Sequence, residues 1–556
     1  MRGKSWRIAI ALFVVLLAPG CGERPEATAE PSPVGGPALI RRLTESQYRH
    51  TLADLFGPEA PVVARFEREL RAHGLIAAGT SEAGISAFAM EQYDAAARAL
   101  ADYLLAPERR AAYLPCTPRA EVAFDADCAA RFVARWGERL FRRPLTEAQV
   151  ARYVDAARTA AATLGDFHEG LEYALVGLLI APQFLLRIEH VEPDPARPGG
   201  YRLDPWSRAE RLAFFLTDST PDEALLAAAA SGELDTPEGL ARQVDRLMGL
   251  ARFEDAVRAF FRDMLEFDRF ADLAKDAQIY PAWTPEVALD AQEQTLRDLV
   301  WHLVREGGDY RDLFVLGETH MTRALGVLYR QPVPPRQGFA RIPLSHDGSR
   351  LGIQSHLSFL ALHAHPGRSS PTLRGKAIRE IFLCQEVPDP PPNVNFSLVQ
   401  EGPGARPTAR ERLAAHNTEP ACAGCHKVMD PVGLALENYD GAGIFRREEN
   451  GAPIDASGFL DGTAYEDAAG LARALRDHPE TPRCLVEKLY RFAVGRDTVW
   501  GERAYLDWLV EAFARAGYRV PELMRTIALS EQFFAIAPPA ERRWAARTVT
   551  LEEDRP

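Results

Sequence analysis

From Leu43 onward, apolar residues recur at helical spacing in one segment after another, and the segments begin and end with helix-terminating chemistry. The stretch LTESQYRHTLADLFG places Thr44 three residues before Gln47 and stops at Gly57, the pattern of a capping box followed by a C-terminal glycine. PLTEAQVARYVDAARTAAATLG repeats the device with Thr146, Gln149 and Gly165. The same periodicity predicts helices over SAFAMEQYDAAARALADYLLA, over GLEYALVGLLIAPQFLLRIE, from Thr236 to Leu265, and over LDAQEQTLRDLVWHLVRE. Period-two alternation is scarce, so the fold class expected is mainly α, in several helical modules. A fainter echo links LLIAPQFLL (Leu178 to Leu186) with IALSEQFFA (Ile527 to Ala535), each an apolar helix ending in Gln-Phe. The echo hints at related helical units and falls short of a solenoid repeat.

The start of the chain sets the compartment. Arg2, Lys4 and Arg7 precede an apolar run from Ile8 to Ala18, and Pro19-Gly20-Cys21 follows. That run is about a dozen residues, too short for a span of roughly 20, so residues 1–21 read as an export signal. Cys21 after a small residue is similar to a bacterial lipobox and is the expected lipid anchor, although Ala18 stands where that motif usually has Leu. An ordinary cleaved signal peptide is the alternative. Residues 22–38, rich in Pro, Gly and Ala, read as a flexible tether. The expected location is the cell envelope, as a periplasmic or outer-membrane lipoprotein whose partners are the membrane and a redox protein. With 65 Lys+Arg against 78 Asp+Glu the chain carries a net −13, which argues against nucleic acid as a partner.

The chemical signature is Cys422-Ala423-Gly424-Cys425-His426, the C-x-x-C-H pattern of covalent c-type haem attachment. Two thiols about one helical turn apart can each form a thioether to one vinyl group, and His426 then serves as proximal iron ligand. One covalent haem c is the cofactor expected. If Cys21 carries lipid and Cys422 and Cys425 carry haem, four of the seven cysteines remain, Cys116, Cys128, Cys384 and Cys484. They make two candidate disulfides, one short and one flanking the haem motif on both sides. The rival readings are an inert C-x-x-C disulfide, a zinc ligand pair, or a tetrahedral zinc site of Cys384, Cys422, Cys425 and Cys484.

Six stretches carry a family resemblance: RRLTESQYRHTLADLFG, FRRPLTEAQVARY, RLAFFLTDSTPDEALLAAA, SSPTLRGKAIREIFLCQEVPDPPPNV, CAGCHKVMDPVGLALENYDGAG and CLVEKLYRFAVGR. In this order they resemble successive modules of a bacterial family of exported proteins, the domains of unknown function numbered in the series fifteen-eighty-five to fifteen-ninety-five, found with cytochrome c-like modules. The resemblance runs from about Leu39 to Phe534 and implies a helical, haem-bearing exported protein without supplying a substrate. One departure is visible: where relatives read Gly-Phe-Asp-Asn after the first module, this chain reads Gly74-Leu75-Ile76-Ala77. The Pro/Gly-rich stretches at Glu192 to Gly200 and Gln331 to Gly338 read as joints, and the prolines from Pro388 to Pro392 as an extended segment. The expected division is 39–115, 116–192, 200–330, a His/Pro-rich module 338–400, the haem segment 401–460, a helical module 461–540 and a tail 541–556.

For the sixth iron ligand, His363 and His365 are the distal candidates, at a predicted helix end beside Pro366 in a segment that also holds His346 and His356. Surface or capping histidines are the competing reading. Met429 falls on the same helical face as His426 and cannot easily reach the opposite side of a haem, while His416 packs near its edge. Met524 reads as core. Asp430-Pro431 reads as a turn with Asp430 capping, and Glu437 and Asp440 as solvated loop charges that could instead orient the haem or hold a cation. No Walker loop, dinucleotide fingerprint, G-x-S-x-G elbow or H-E-x-x-H occurs. The expected role is redox: electron transfer, or haem-based oxidation of an extracytoplasmic substrate. The competing class is a non-enzymatic envelope binding or assembly lipoprotein.

Overall fold

The computed structural model describes residues 29–119, 124–345, 348–388, 407–416 and 420–538. Helices dominate, and the strands are short pieces in two- and three-stranded sheets. Both capping boxes form as the spacing predicts. The Thr44 hydroxyl accepts from the Gln47 backbone N–H and Gln47 reaches back to the Thr44 N–H, opening Glu45–Phe56; Thr146 and Gln149 do the same for Glu147–Leu164. Gly165 closes the second helix in the left-handed conformation at φ 78°.

Two predicted helices are interrupted and a third changes its winding at its end. The segment from Gly170 to Glu189 is helical only to Leu179; Ala181 is extended, as a residue before proline must be, and Pro182–Leu185 forms a single turn before the strand Leu186–Ile188. The run from Thr236 to Leu265 breaks at Gly249 into Pro237–Met248 and Arg252–Met264. The helix Pro285–Val300 ends in one wide π turn, Trp301–Arg305. Part of the expected tether is structured instead. From Ala29 the chain is seated on the C-terminal module, with Gly36 bridging Ile536 and the Ala537 N–H donating to the Gly36 carbonyl at 2.8 Å.

The echo between the two Gln-Phe segments is a repeated closure. Leu186–Ile188 pairs antiparallel with Ile40–Arg42, which leads through the Thr44 cap into a helix. Ala535–Ile536 pairs antiparallel with Tyr201–Leu203, which leads through the Asp204 cap into Pro205–Thr217. Each closing strand follows the same series of a long helix ending in a left-handed residue, two further helices and a one-turn helix. In both series a disulfide cysteine lies near the start of the first helix, Cys128 in Ala126–Phe141 and Cys484 in Glu480–Val494. The apolar cores follow the two closures. One contains residues from Leu43 to Phe214; a larger one runs from Leu203 to Ile536, with a small satellite around Met321 and Leu325.

The seam between the two cores is ionic. Arg41 and Arg211 donate to Glu189 at 2.9 and 2.6 Å, and Arg142 and Arg187 donate to Glu210 at 3.1 and 3.2 Å, with all six side chains covered from solvent. Burial pushes the Glu189 carboxyl up, but the charges of Arg211 and Arg41 and their hydrogen bonds outweigh it and hold it at about 2. Burial and the neighbouring Arg41 push Arg187 down to about 9.

Candidate functional site

The C-x-x-C-H sequence lies in the helix Pro420–Leu434, which crosses Pro371–Ala377 at backbone contact. Two glycines make the crossing possible: a Cβ on Gly375 would run into the Met429 carbonyl, and one on Gly433 into the Pro371 carbonyl. Polar ties hold the rest of that end. The Thr372 hydroxyl donates to Asp430 Oδ1 at 2.9 Å, Arg379 Nε to the Val428 carbonyl at 3.2 Å, and the Tyr465 hydroxyl to the Pro431 carbonyl at 3.1 Å. Asp430 and Pro431 are therefore helical and not the turn that Asp-Pro suggested. The helix tolerates the missing proline N–H because packing and these side-chain bonds fix it from three elements.

Cys422 and Cys425 lie one turn apart on this helix, partly exposed and outside any disulfide. The imidazole of His426 is held through Nδ1, which donates to Asp430 Oδ2 at 2.9 Å, and Asp430 itself is 1% exposed. A carboxylate can only accept here, so in the neutral ring Nδ1 carries the proton and Nε2 is the nitrogen with a lone pair for a metal. Two thiols at one-turn spacing beside an imidazole of assigned tautomer are a donor set that fits a covalently attached haem. The four-cysteine zinc site is not formed, because Cys384 and Cys484 are joined to each other, as Cys116 is to Cys128.

The distal candidates occupy different surroundings. His363 follows the helix Leu357–Leu362 and is 4% exposed, with its ring 4.7 Å from that of Phe359. Burial, with Arg269, Arg374 and Lys275 adding to it against the opposing Glu266, pushes this imidazole down to about 3. Its Nε2 is buried with no hydrogen-bond partner among the described residues. His365 is exposed at the following turn, where its backbone N–H donates to the Arg368 carbonyl and its carbonyl accepts from Lys275. His356 is not at the surface; it is buried, with Nδ1 3.0 Å from the Thr295 hydroxyl, and burial pushes it down to about 4. Met429 and Met524 are buried. Cys21 and His346, and the side chain of His416, lie outside the described residues.

The two carboxylates after the motif differ. Asp440 caps its loop, accepting the N–H groups of Ala442 and Ile444 at 2.9 Å each. Glu437 is 2% exposed and is not the solvated charge expected. It accepts from Ser369 at 2.9 Å and Arg446 at 3.0 Å and faces Arg374 at 3.7 Å; burial raises its pKa against these cations. Arg374 in turn donates to the Leu436, Tyr439 and Asp440 carbonyls, clamping the chain that leaves the motif helix.

Sequence reasoning missed a second polar feature, a cleft of about 710 Å³ between the first module and the helix Arg252–Met264. Glu69 lines it, its carboxyl raised to about 7 by burial against the opposing Glu45 N–H bond. His50 Nδ1 is 3.0 Å from Asp218; burial lowers its pKa, but the hydrogen bond and charge of Asp218 outweigh that and raise it. Partners 168 positions apart leave no local sequence signal.

Comparison with family models finds five matches along the chain, each described as a protein of unknown function. They are DUF1587 over residues 41–106, DUF1595 over 128–189, DUF1592 over 203–330, DUF1588 over 350–449 and DUF1585 over 461–533. The DUF1588 match contains both the close-packed helix Pro371–Ala377 and the C-x-x-C-H helix. No curated protein and no solved structure matches the chain. With its modules matched in succession from residue 41 to residue 533, the chain belongs to this multi-module family of unknown function.

Proposed function

We propose that this is an exported, lipid-anchored envelope protein that carries one haem on Cys422, Cys425 and His426 and has a redox role. The observation that carries the reading is the division of the cysteines. Four are spent in two disulfides, while the two at attachment spacing stay out of disulfides on one helix beside an imidazole oriented by a buried carboxylate. Two disulfides in the chain favour an oxidising compartment, where bacterial haem attachment also takes place. A bound haem would supply one-electron chemistry at its iron. Cys422 and Cys425 would hold it by thioethers, His426 would present Nε2, and Asp430 would retain the Nδ1 proton and keep the ring in one orientation.

The role is electron transfer or oxidation of an extracytoplasmic substrate, and axial ligation separates the two. A second reading, a non-enzymatic envelope binding or assembly protein, draws on the cleft lined by Glu69 and His50, which the haem reading leaves unused. The test is to express the chain with a haem-attachment system and record its spectrum. A Soret band that survives denaturation, and weakens in Cys425→Ser, is the expected result; a colourless protein with stoichiometric zinc would refute the haem. Cyanide or imidazole binding to the oxidised protein marks an open iron and an enzyme, and refusal of both marks two protein ligands and an electron carrier.

A further inference from the structure

Trp500 is the most exposed of the chain's large apolar side chains among the described residues, at 83%. It does not sit on a fraying loop. The turn Trp500–Glu502 is bolted from beneath by Glu502, a fully buried carboxylate. Glu502 accepts from Arg496 at 2.6 and 2.8 Å, from the Tyr490 hydroxyl at 2.6 Å, from Gln532 at 2.8 Å and from the Val499 N–H at 2.8 Å. The indole is thus held out into solvent on a rigid platform. Val499 beside it is 37% exposed, and Val34 is 45% exposed and so close that a Cβ on Gly501 would lie 2.9 Å from Val34 Cγ1. The Arg503 guanidinium lies 5.1 Å from the indole centre, giving the patch a cationic rim.

The same platform holds the incoming chain. Gln532, whose amide donates to Glu502, accepts the Val34 N–H at 2.7 Å, and the Gln532 N–H donates to Glu30 at 3.2 Å. The strap that leads back to Cys21 therefore lies against the Trp500 turn. Eight residue steps separate Cys21 from Ala29, which reach at most about 29 Å when fully extended. A compact chain of this size has a radius of gyration of roughly 24 Å and is about 60 Å across, so the leash cannot carry the bilayer round to the opposite side.

We propose that the face formed by Val34, Val499 and Trp500 is the side of the protein that rests on the lipid bilayer, with the indole seated at the headgroup level. The inference rests on the reading of Cys21 as acylated. Trp suits this position because its ring is apolar and its N–H is polar, and a neighbouring arginine can reach anionic headgroups. No described helix is long and apolar enough to cross a membrane, and the contact proposed for this face is a peripheral one.

The test uses the full lipidated chain and its Trp500→Phe variant, which changes only an exposed ring. Each is reconstituted into phosphatidylcholine–phosphatidylglycerol vesicles whose acyl chains are brominated near the headgroup. The wild-type emission minus that of the variant isolates Trp500, and mass spectrometry reports the N-terminus. We expect this component to lose at least half its intensity and shift to the blue on reconstitution. An acylated N-terminus with an unquenched Trp500 overturns the face and leaves the anchor standing. Quenching in a protein without acylation supports the face and overturns the anchor. A protein that is neither acylated nor retained on vesicles overturns both.

Discussion

At the scale of residues, the orientation of the His426 ring turns on Asp430. The carboxylate is buried, and both its oxygens are used, one by Thr372 and one by His426. Replacing Asp430 with Asn removes the charge that favours the Nδ1 proton, so the imidazole becomes a weaker donor. Asp430→Asn is expected to cost about 1–3 kcal/mol in chemical denaturation, and to raise the reduction potential of the haem-loaded protein in a redox titration. Thr372→Val, which leaves the Asp430–His426 bond in place, is expected to move the potential in the same direction by less. Glu69 gives a separate pH signature. Its folded pKa, raised by burial to about 7, lies above the ordinary 4.5, so the folded state holds a proton that the unfolded chain releases first. Its contribution is therefore fully present below about 4.5 and is lost as pH rises to about 7. Glu69→Gln is expected to flatten the stability–pH curve in that window, read as urea midpoints of the two proteins.

At the scale of elements, the motif helix is positioned by absence of side chains. Gly375 and Gly433 let it and Pro371–Ala377 meet backbone to backbone, and a methyl group on either residue has nowhere to go. Gly433→Ala and Gly375→Ala are each expected to destabilise by about 1–3 kcal/mol or more, because overpacking forces the helices apart. The displacement should also reach His426 through Asp430 and Thr372, so the loaded variants should show altered haem absorbance, whereas Gly424→Ala, where a Cβ meets open space, should not. Both glycines lie within the SSPTLRGKAIREIF and C-x-x-C-H stretches that carry the family resemblance. Their geometry gives that pattern a physical reason. The one-turn helices after Ala181 and Ser530 show how local rules decide an element's end, since each follows an extended cap residue and feeds a closing strand.

At the scale of the whole molecule, Cys384–Cys484 closes a separation of 100 residues that contains the C-x-x-C-H sequence, while Cys116–Cys128 closes only 12. In the chain-entropy model the long closure contributes about 4.7 kcal/mol and the short one about 3 kcal/mol. The double variant Cys384→Ala/Cys484→Ala is expected to unfold at lower denaturant than Cys116→Ala/Cys128→Ala, measured under oxidising conditions. The seam of Arg41, Arg142, Arg187 and Arg211 with Glu189 and Glu210 joins the two cores through residues far apart in sequence. Breaking such a buried pair costs more than a surface one because the remaining charges are left in a low-dielectric interior.

The sequence by itself determined the helical class, the two capping boxes and the C-x-x-C-H spacing, because each is a short-range pattern that the backbone reads locally, whereas the cysteine pairs followed from counting which thiols the motifs leave over. It also carried the echo of Gln-Phe closures, a local unit built twice. Tertiary structure alone decided where Asp-Pro stays helical, since Asp430 is tied to Thr372 58 positions away. It alone buried Glu437, His356 and His363, brought His50 to Asp218 and folded residues from Ala29 onward against the C-terminal module. The reason is physical: a residue's charge state and exposure depend on which distant groups pack against it, and periodicity along the chain holds no record of that.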